Sequence, residues 1–593
     1  MMTRLFDLVR ERSETAPDET LLVGKESGVW REYSAREVWE TSGQMAAALN
    51  QLGVANSVLT PDAQEKIAII SPSRPEWVIT DLAVQRCGGV LTPIYPTIAA
   101  AEFAFIMNEA GIKKLFIGGN DIARRYDEVI KTIPTLEHIY VFDEGTSYLN
   151  WNTLRAARTP ADDALEARIT TETLATIIYT SGTTGDPKGV MLSHRNILSN
   201  VIDCMPVFTF AKKGEKALSF LPLNHIFERM VTYIYMHAGL AIWYAESMES
   251  IGANLVEVKP LVFTTVPRLL EKVYERILSK GMDLKGIKRM LFFWSLDLGK
   301  KYDNINRGSL WYRIQLAIAN KLVFSKWRDA LGGNVKAIVT GSAACQERLI
   351  RIFSAANVTI MEGYGLTETS PVLTVNHLES ENRRIGTIGA VIQNVEVKLA
   401  DDGEILCKGP NIMMGYYHRP DLTAEAMIDG WFHTGDIGQW IEGRFLKITD
   451  RKKEIFKTSG GKYVAPQPVE NKMRESPYIE QIMLVGADRK YVAALIVPSF
   501  MQVRKFLKDS GKVVSGSNAE IVKMPEVEKL IKTQVAKYNS GFGHIEQIKK
   551  FTLLPEEWTI QDGELTPSLK VKRKVILQKY AEMIEGMYEQ TVV

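Results

Sequence analysis

Three features of the chain predict an α/β fold. The expected architecture is a large N-terminal domain of parallel-sheet subdomains with an antiparallel β meander, followed by a smaller α+β C-terminal domain. First, short apolar, β-rich runs alternate with longer segments of helical period over most of residues 60–365, the pattern of parallel strands joined by crossover helices. Second, after about Arg384 frequent glycines, with Asp-Gly and Glu-Gly pairs, divide the sequence into short alternating runs, as hairpins do. Third, a charged segment, Asp450-Arg451-Lys452-Lys453-Glu454, separates all of this from a C-terminal region with a texture of its own.

In order along the chain, strands are predicted at 66–70, 90–95, 114–117, 139–142, 176–179, 217–221, 261–266, 335–340 and 358–361. Residues 230–245 carry no charge. Thr232, His237, three tyrosines and Gly239 interrupt the stretch, and it is shorter than the ~20 apolar residues of a membrane span. It reads as a buried helix running into a strand. The meander is punctuated by Gly386, Gly389, Gly403, Gly409, Gly415, Gly430, Gly435 and Gly443. Beyond the charged segment a hairpin is expected from 481–485 and 492–497 around a turn at 488–490, with three helical stretches. The predicted division is 1–449, a hinge at 450–454, and 455–593.

Composition narrows the function. With 593 residues, 46% of them hydrophobic, the chain can build about three to five domain-sized cores, which excludes a disordered or fibrous protein. Lys and Arg number 72 against 70 Asp and Glu, so no whole-molecule field argues for nucleic acid. The four cysteines, Cys87, Cys204, Cys345 and Cys407, show neither C-x-x-C nor zinc-ligand spacing, which suits a reducing compartment. Asp7, Arg10 and Arg12 interrupt the start before a signal-peptide core develops. A cytoplasmic location is therefore expected. One segment breaks the charge balance: 279–328 holds eleven Lys/Arg against three Asp, interleaved with Phe292, Phe293, Trp294, Trp311, Tyr312, Phe324 and Trp327. This mixture suits either packed helices with a solvated basic face or a peripheral contact with the inner face of a membrane.

The densest chemical signal follows the strand at 176–179: Thr180-Ser181-Gly182-Thr183-Thr184-Gly185-Asp186-Pro187-Lys188-Gly189. Four hydroxyls, three glycines and a lysine allow close backbone approach and surround phosphate oxygens. It is not a Walker loop, because Gly189 stands where Ser or Thr should ligate magnesium. The segment resembles the phosphate loop of the adenylate-forming superfamily of acyl-CoA synthetases, luciferases and adenylation domains. Further likenesses follow in family order: Met361-Glu362-Gly363-Tyr364-Gly365-Leu366-Thr367-Glu368-Thr369, then Trp431-Phe432-His433-Thr434-Gly435-Asp436, then the 450–454 segment with Ser459-Gly460-Gly461-Lys462.

The resemblance implies activation of a carboxylate by ATP to acyl-AMP and pyrophosphate, then transfer to a thiol, with Mg2+ as cofactor and ATP and CoA as co-substrates. It assigns Glu368 to Mg2+, Thr367 to the α-phosphate, Tyr364 to adenine stacking, and Asp436 with Arg451 to the ribose. Gly341, Ser342, Ala343 and Gly363 join the nucleotide site on the same grounds. His225, within Leu221-Pro222-Leu223-Asn224-His225-Ile226-Phe227-Glu228-Arg229, falls beside the expected position of the reacting carboxylate. Lys570 aligns with the family's catalytic lysine, although Leu569 replaces the usual glycine before it and leaves Lys572 as a second candidate. Lys453 falls at the hinge, and Gly460 and Gly461 at the passage for pantetheine. The 221–229 stretch and the basic segment look most like long-chain fatty acyl-CoA synthetases, except that Arg229 stands where some relatives carry a gating Trp. The alternative is a ligase that loads the acyl group onto a carrier-protein phosphopantetheine.

Overall fold

The computed structural model describes residues 2–56, 58–180, 187–306, 308–512, 516–566 and 570–589. The chain forms two compact units. The larger comprises 1–397, 406–433 and 442–446, and the smaller 398–405, 434–441 and 447–593.

In the larger unit, one sheet runs in the order Gly415–Tyr416, Lys188–Ser193, Leu174–Thr180, Val90–Ile94, Lys66–Ile70, Lys114–Ile117, His138–Val141, Leu149–Asn150. The strands from Leu174–Thr180 onward are parallel, and Lys188–Ser193 turns back antiparallel on Leu174–Thr180. The second sheet of this unit has a parallel core of Thr359–Gly365, Ala337–Thr340, Val262–Thr265, Lys216–Ser219, Ala241–Tyr244 and Thr20–Glu26. Antiparallel Val29–Ser34 flanks one edge of that core, and Val372–Val375 with Ala390–Val391 the other.

The parallel strands are apolar runs because helices cover both their faces. Lys66–Ile70, for example, is buried at every position. The crossover helix Pro75–Arg86 is likewise buried all round, which is why its sequence lacks a polar stripe. The predicted strands all form, within a few residues of the expected bounds. Strands not foreseen include the N-terminal hairpin, Leu149–Asn150, Lys188–Ser193 and Val372–Val375. The helix then begins at His194, with Ser193 and Asn196 closing a capping box. The two strands that flank the expected phosphate loop thus pair antiparallel. Residues 230–245 form the end of helix Ile226–Ala238 and strand Ala241–Tyr244, and among the described residues no helix is long and apolar enough to cross a membrane.

The smaller unit contains the expected hairpin, Ile479–Val485 with Val492–Pro498. A third strand, Ile548–Leu553, lies parallel to Val492–Pro498. Helices Pro466–Met473, Phe500–Asp509, Asn518–Ile521, Pro525–Asn539, Arg573–Lys579 and Ala581–Glu589 exceed the three expected. Most span barely two turns, too few for a helical period to stand out in sequence.

Candidate functional site

In an open parallel sheet, ligands bind beyond the carboxyl ends of the strands, and most of the predicted site residues of the larger unit lie there. Thr340 is in register with Glu362, so Gly341-Ser342-Ala343 leaves one strand beside Gly363-Tyr364 on the next. A Cβ on Gly341 would stand 3.5 Å from both the Gly363 carbonyl oxygen and the Phe227 ring. Ser342 holds a left-handed backbone, φ 68°, a local irregularity of the kind that accumulates at functional loops. The strand Lys216–Ser219 leads at its own carboxyl end to His225, bringing that loop to the same side.

His225 caps helix Ile226–Ala238, its Nδ1 accepting the Phe227 N–H at 3.1 Å. The neutral ring therefore carries its proton on Nε2. Arg229, one turn further on, does not stand at an opening. It is buried, donates to Asp81 at 3.0 Å from Nε and to Thr176 Oγ1 at 2.8 Å from Nη1, and lies over Trp77. Its neighbour Glu228 points the other way and accepts from Ser219 and Thr264. Helix Ile226–Ala238 thereby reaches both sheets through two adjacent side chains. Arg229, at the position where the resemblance suggested a gating Trp in some members, thus forms a buried ion pair with Asp81.

The expected metal ligand is held from several directions. Glu368 is the middle residue of the short turn Thr367–Thr369, which the Leu366 N–H closes by donating to Thr369 Oγ1 at 2.9 Å. Its backbone carbonyl accepts the Met413 N–H at 2.9 Å, and its carboxylate accepts the Tyr416 hydroxyl at 2.9 Å. Gly365 makes this turn possible, since a Cβ there would lie 1.6 Å from the Pro371 carbonyl oxygen. Tyr416 also carries the Lys188 ammonium over its ring, at 5.2 Å from the centroid. Burial, and secondly the Glu368 charge, push the Tyr416 phenol upward, so it remains a donor at neutral pH. Sequence reasoning missed Tyr416. Its position beside Gly415 was the available signal, but that glycine was read only as meander punctuation.

Thr180 and Lys188 are direct partners across the hairpin, facing each other at the two ends of the loop. Gly189 is required by close approach: a Cβ there would meet Ile177 at 2.8 Å and the Tyr179 ring at 3.1 Å. Ser181, Gly182, Thr183, Thr184 and Gly185, predicted to cradle phosphate, lie outside the described residues, as does Leu569. One carboxylate, fixed by a phenol and a backbone turn, fits Mg2+, which commonly takes only one or two protein carboxylates and completes its shell with phosphate oxygens and water. The described residues contain no cluster of three or more metal-ligating side chains.

The smaller unit carries the remaining candidates. Asp436 is buried and accepts from Arg451 Nε at 3.0 Å, so the two residues assigned to the ribose are already joined. Glu404 supports them, accepting the Gly435 N–H and the Lys452 ammonium at 2.9 Å each. Lys453 lies exposed in the turn that follows. Beside it, burial pushes the Asp450 carboxyl up to about 7, opposed by the Arg451 N–H and reinforced by Glu454 and Glu470. Gly460 and Gly461 form the tip of a small hairpin, Phe456–Lys457 with Tyr463–Val464. A Cβ on either would meet nothing closer than 3.8 Å. Lys570 is joined to Thr566 by two reciprocal bonds, Thr566 N to Lys570 O at 2.8 Å and Lys570 N to Thr566 Oγ1 at 3.0 Å. Lys572 instead occupies the cap of helix Arg573–Lys579, which separates the two candidate lysines structurally.

Comparison with known proteins identifies the family. Residues 9–417 match the AMP-binding enzyme family, and residues 453–592 match the AMP-binding enzyme C-terminal domain. The chain belongs to the AMP-binding enzyme family. It is similar to the long-chain-fatty-acid–CoA ligase FadD15 of Mycobacterium bovis, with 34% identity over 98% of this chain and 96% of that protein. Similarity to long-chain-fatty-acid–CoA ligase 1 of Homo sapiens is 32% over 94% of this chain and 82% of that one. Among solved structures, the adenylation domain of a carboxylate reductase from Mycobacterium chelonae superposes with a TM-score of 0.77 at 20% identity, covering 99% of this chain and 91% of that one. At that identity the likeness speaks for the fold.

Proposed function

We propose that the protein is an AMP-forming long-chain-fatty-acid–CoA ligase. It joins a fatty acid to ATP, giving acyl-AMP and pyrophosphate, and then transfers the acyl group to CoA, giving acyl-CoA and AMP. The observation that carries this reading is the similarity to ligases of that name at 34% identity across 98% of the chain, both domains included.

A carboxylate is a poor acyl donor at neutral pH, and its oxygen must attack the α-phosphorus to become one. Thr180, Lys188 and the loop between them hold the triphosphate; Thr367 donates to the α-phosphate; Gly341, Ser342, Ala343, Gly363 and Tyr364 form the adenine slot. Asp436 and Arg451 take the ribose. Glu368 would hold Mg2+, which when bound would supply positive charge to the phosphate oxygens. His225 Nε2–H is a donor suited to the fatty-acid carboxylate. Lys570 serves adenylation by drawing together carboxylate and α-phosphate. Rotation of 455–593 about the hinge 450–454, at Lys453, then withdraws it and presents the side-chain-free tip Gly460-Gly461 for pantetheine. The reaction is placed in the cytoplasm, with peripheral contact at a membrane through 279–328.

The test is a panel of carboxylic acids from acetate to long-chain and aromatic acids, at fixed ATP and with either CoA or a holo-carrier protein as thiol. Pyrophosphate release that rises toward long chains, with acyl-AMP consumed by CoA, is expected. Preference for short or aromatic acids, or consumption only by the carrier protein, would overturn the assignment.

A further inference from the structure

The basic segment resolves into two kinds of surface. Phe292, Phe324 and Trp327 are core residues, and Trp327 packs against Phe292, Phe324 and Phe353. These aromatics belong to folding. A different set faces outward. Helix Leu310–Ala319 continues through the π turn Asn320–Phe324 into Ser325–Ala330. Along it Leu310, Trp311, Ile314, Ile318 and Leu322 are 44–71% exposed. Trp311, Ile314, Ile318 and Leu322 follow the three- and four-residue spacing of one helical face.

This face cannot rotate inward, because the opposite one is anchored. Asn320 donates to the Ala355 carbonyl and Arg328 to the Ala356 carbonyl, each at 2.8 Å. Arg313, Lys321 and Lys326 are exposed beside the apolar stripe, and residues 304–328 contain five Lys/Arg and no carboxylate. A groove of about 600 Å³ beside the helix is lined in part by Arg313 and Lys321. The preceding helix, Gly286–Lys300, adds exposed Ile287 and Met290.

We infer that the outer face of 310–326 is a docking surface for a lipid bilayer containing anionic headgroups. The argument is one of complementarity. Exposed Leu, Ile and Trp on a helix lying flat reach the headgroup–acyl boundary, while lysine and arginine stems extend to the phosphates around them. A second copy of the same face would set base against base. A bilayer supplies apolar depth and diffuse negative charge together. The inference rests on the ligase reading and narrows it, because it places the enzyme on the phase into which long acyl chains partition.

The experiment uses the full chain without ATP, CoA or fatty acid, sedimented with vesicles of phosphatidylcholine alone or mixed equally with phosphatidylglycerol. Wild-type protein is expected on the mixed vesicles, and to leave them as salt is raised. Removing three charges in Arg313→Gln/Lys321→Gln/Lys326→Gln should weaken that partition about 100-fold. Replacing the stripe in Trp311→Ser/Ile314→Ser/Ile318→Ser should weaken it at least about tenfold. Circular dichroism and acyl-CoA formation from octanoate check that both variants are folded, and both should match wild type. Wild-type protein that stays in the supernatant, equal binding to both vesicle types, or variants that bind like wild type would overturn the inference. So would a wild-type dimer that the apolar variant dissociates, since the face would then cover a second copy. Failure of wild type to activate octanoate or longer acids would count against the ligase reading, and the vesicle result does not depend on it.

Discussion

Two regions carry the proposed chemistry, and they are built on different principles. In the larger unit the candidates are tied to strands. Gly341 and Gly363 follow in-register positions of a parallel pair, Thr180 faces Lys188 across a ladder, and Glu368 is braced by Tyr416 and Met413. In the smaller unit Asp436 and Arg451 also stand on strands, but Lys453, Gly460 and Gly461 sit on turns, and Lys570 is held to Thr566 by two local bonds. A group that must bind nucleotide in one place benefits from rigid ladders. Groups proposed to serve successive half-reactions are carried here on less extensively paired backbone.

The first way to break this comparison is to remove charge from the braced side. Glu368→Gln keeps an oxygen to accept from Tyr416 and loses the anion, so acyl-AMP formation should fall by roughly 10³-fold with the fold intact. Pyrophosphate release measured against Mg2+ concentration checks it. A loss of less than tenfold would remove Glu368 from the role of metal ligand.

In the smaller unit, Lys570→Ala should lower acyl-AMP formation about 10²-fold and leave thioester formation from supplied acyl-AMP within a few-fold. Lys572→Ala should change neither beyond the effect of disturbing a helix cap. Equal damage to both half-reactions by Lys570→Ala would mean that the two regions do not divide the reaction as proposed.

A smaller effect separates brace from ligand. Tyr416→Phe keeps the ring beneath Lys188 and removes one hydrogen bond to a carboxylate, worth about 1.5–3 kcal/mol when the acceptor is charged. About a tenfold loss in adenylation is expected, with a higher Mg2+ requirement. An unchanged Mg2+ dependence would make Tyr416 a packing residue only.

The same contrast explains what could be read from sequence. The parallel strands of the larger unit were legible because burial on both faces leaves an apolar run with few exceptions, as in Ile67-Ala68-Ile69-Ile70. The expected phosphate loop and the 361–369 motif stood out in the sequence because the chemistry proposed for them requires particular residue types close together. Tyr416 was not, because its partners Glu368 and Lys188 are distant in sequence and meet only when Gly415–Tyr416 joins the sheet beside Lys188–Ser193. The role of Arg229 was hidden for a related reason: its partner Asp81 lies in a helix buried on every side, where an acid has no periodic signature. In the C-terminal region the short helices and the parallel strand Ile548–Leu553 depend on tertiary contact more than on local pattern.

The smallest expected effect concerns pH and the rigidity of the strand-borne half. Glu362, in register with Thr340 and directly before Gly363, is buried with the Cys345 N–H at 2.8 Å. Burial pushes its carboxyl up to about 8, and the Glu347 charge adds to this while the Cys345 N–H opposes it. The folded protein therefore holds a proton that the unfolded chain releases near the ordinary carboxylate range. The stabilisation this gives is complete below that range and is lost as pH rises toward about 8, at no more than about 1.4 kcal/mol per pH unit for one proton. Glu109, Glu228 and Asp450, each pushed up to about 7 chiefly by burial, act in the same direction and finish earlier. Between pH 7 and 8 Glu362 should therefore make the largest single contribution to the slope. Glu362→Gln, which keeps an acceptor for the Cys345 N–H, should flatten the fall of the denaturation midpoint in that interval whatever it does to absolute stability. An identical slope in variant and wild type would show that Glu362 is already ionised in the folded protein, and that the end of its strand tolerates a buried charge beside the proposed adenine slot.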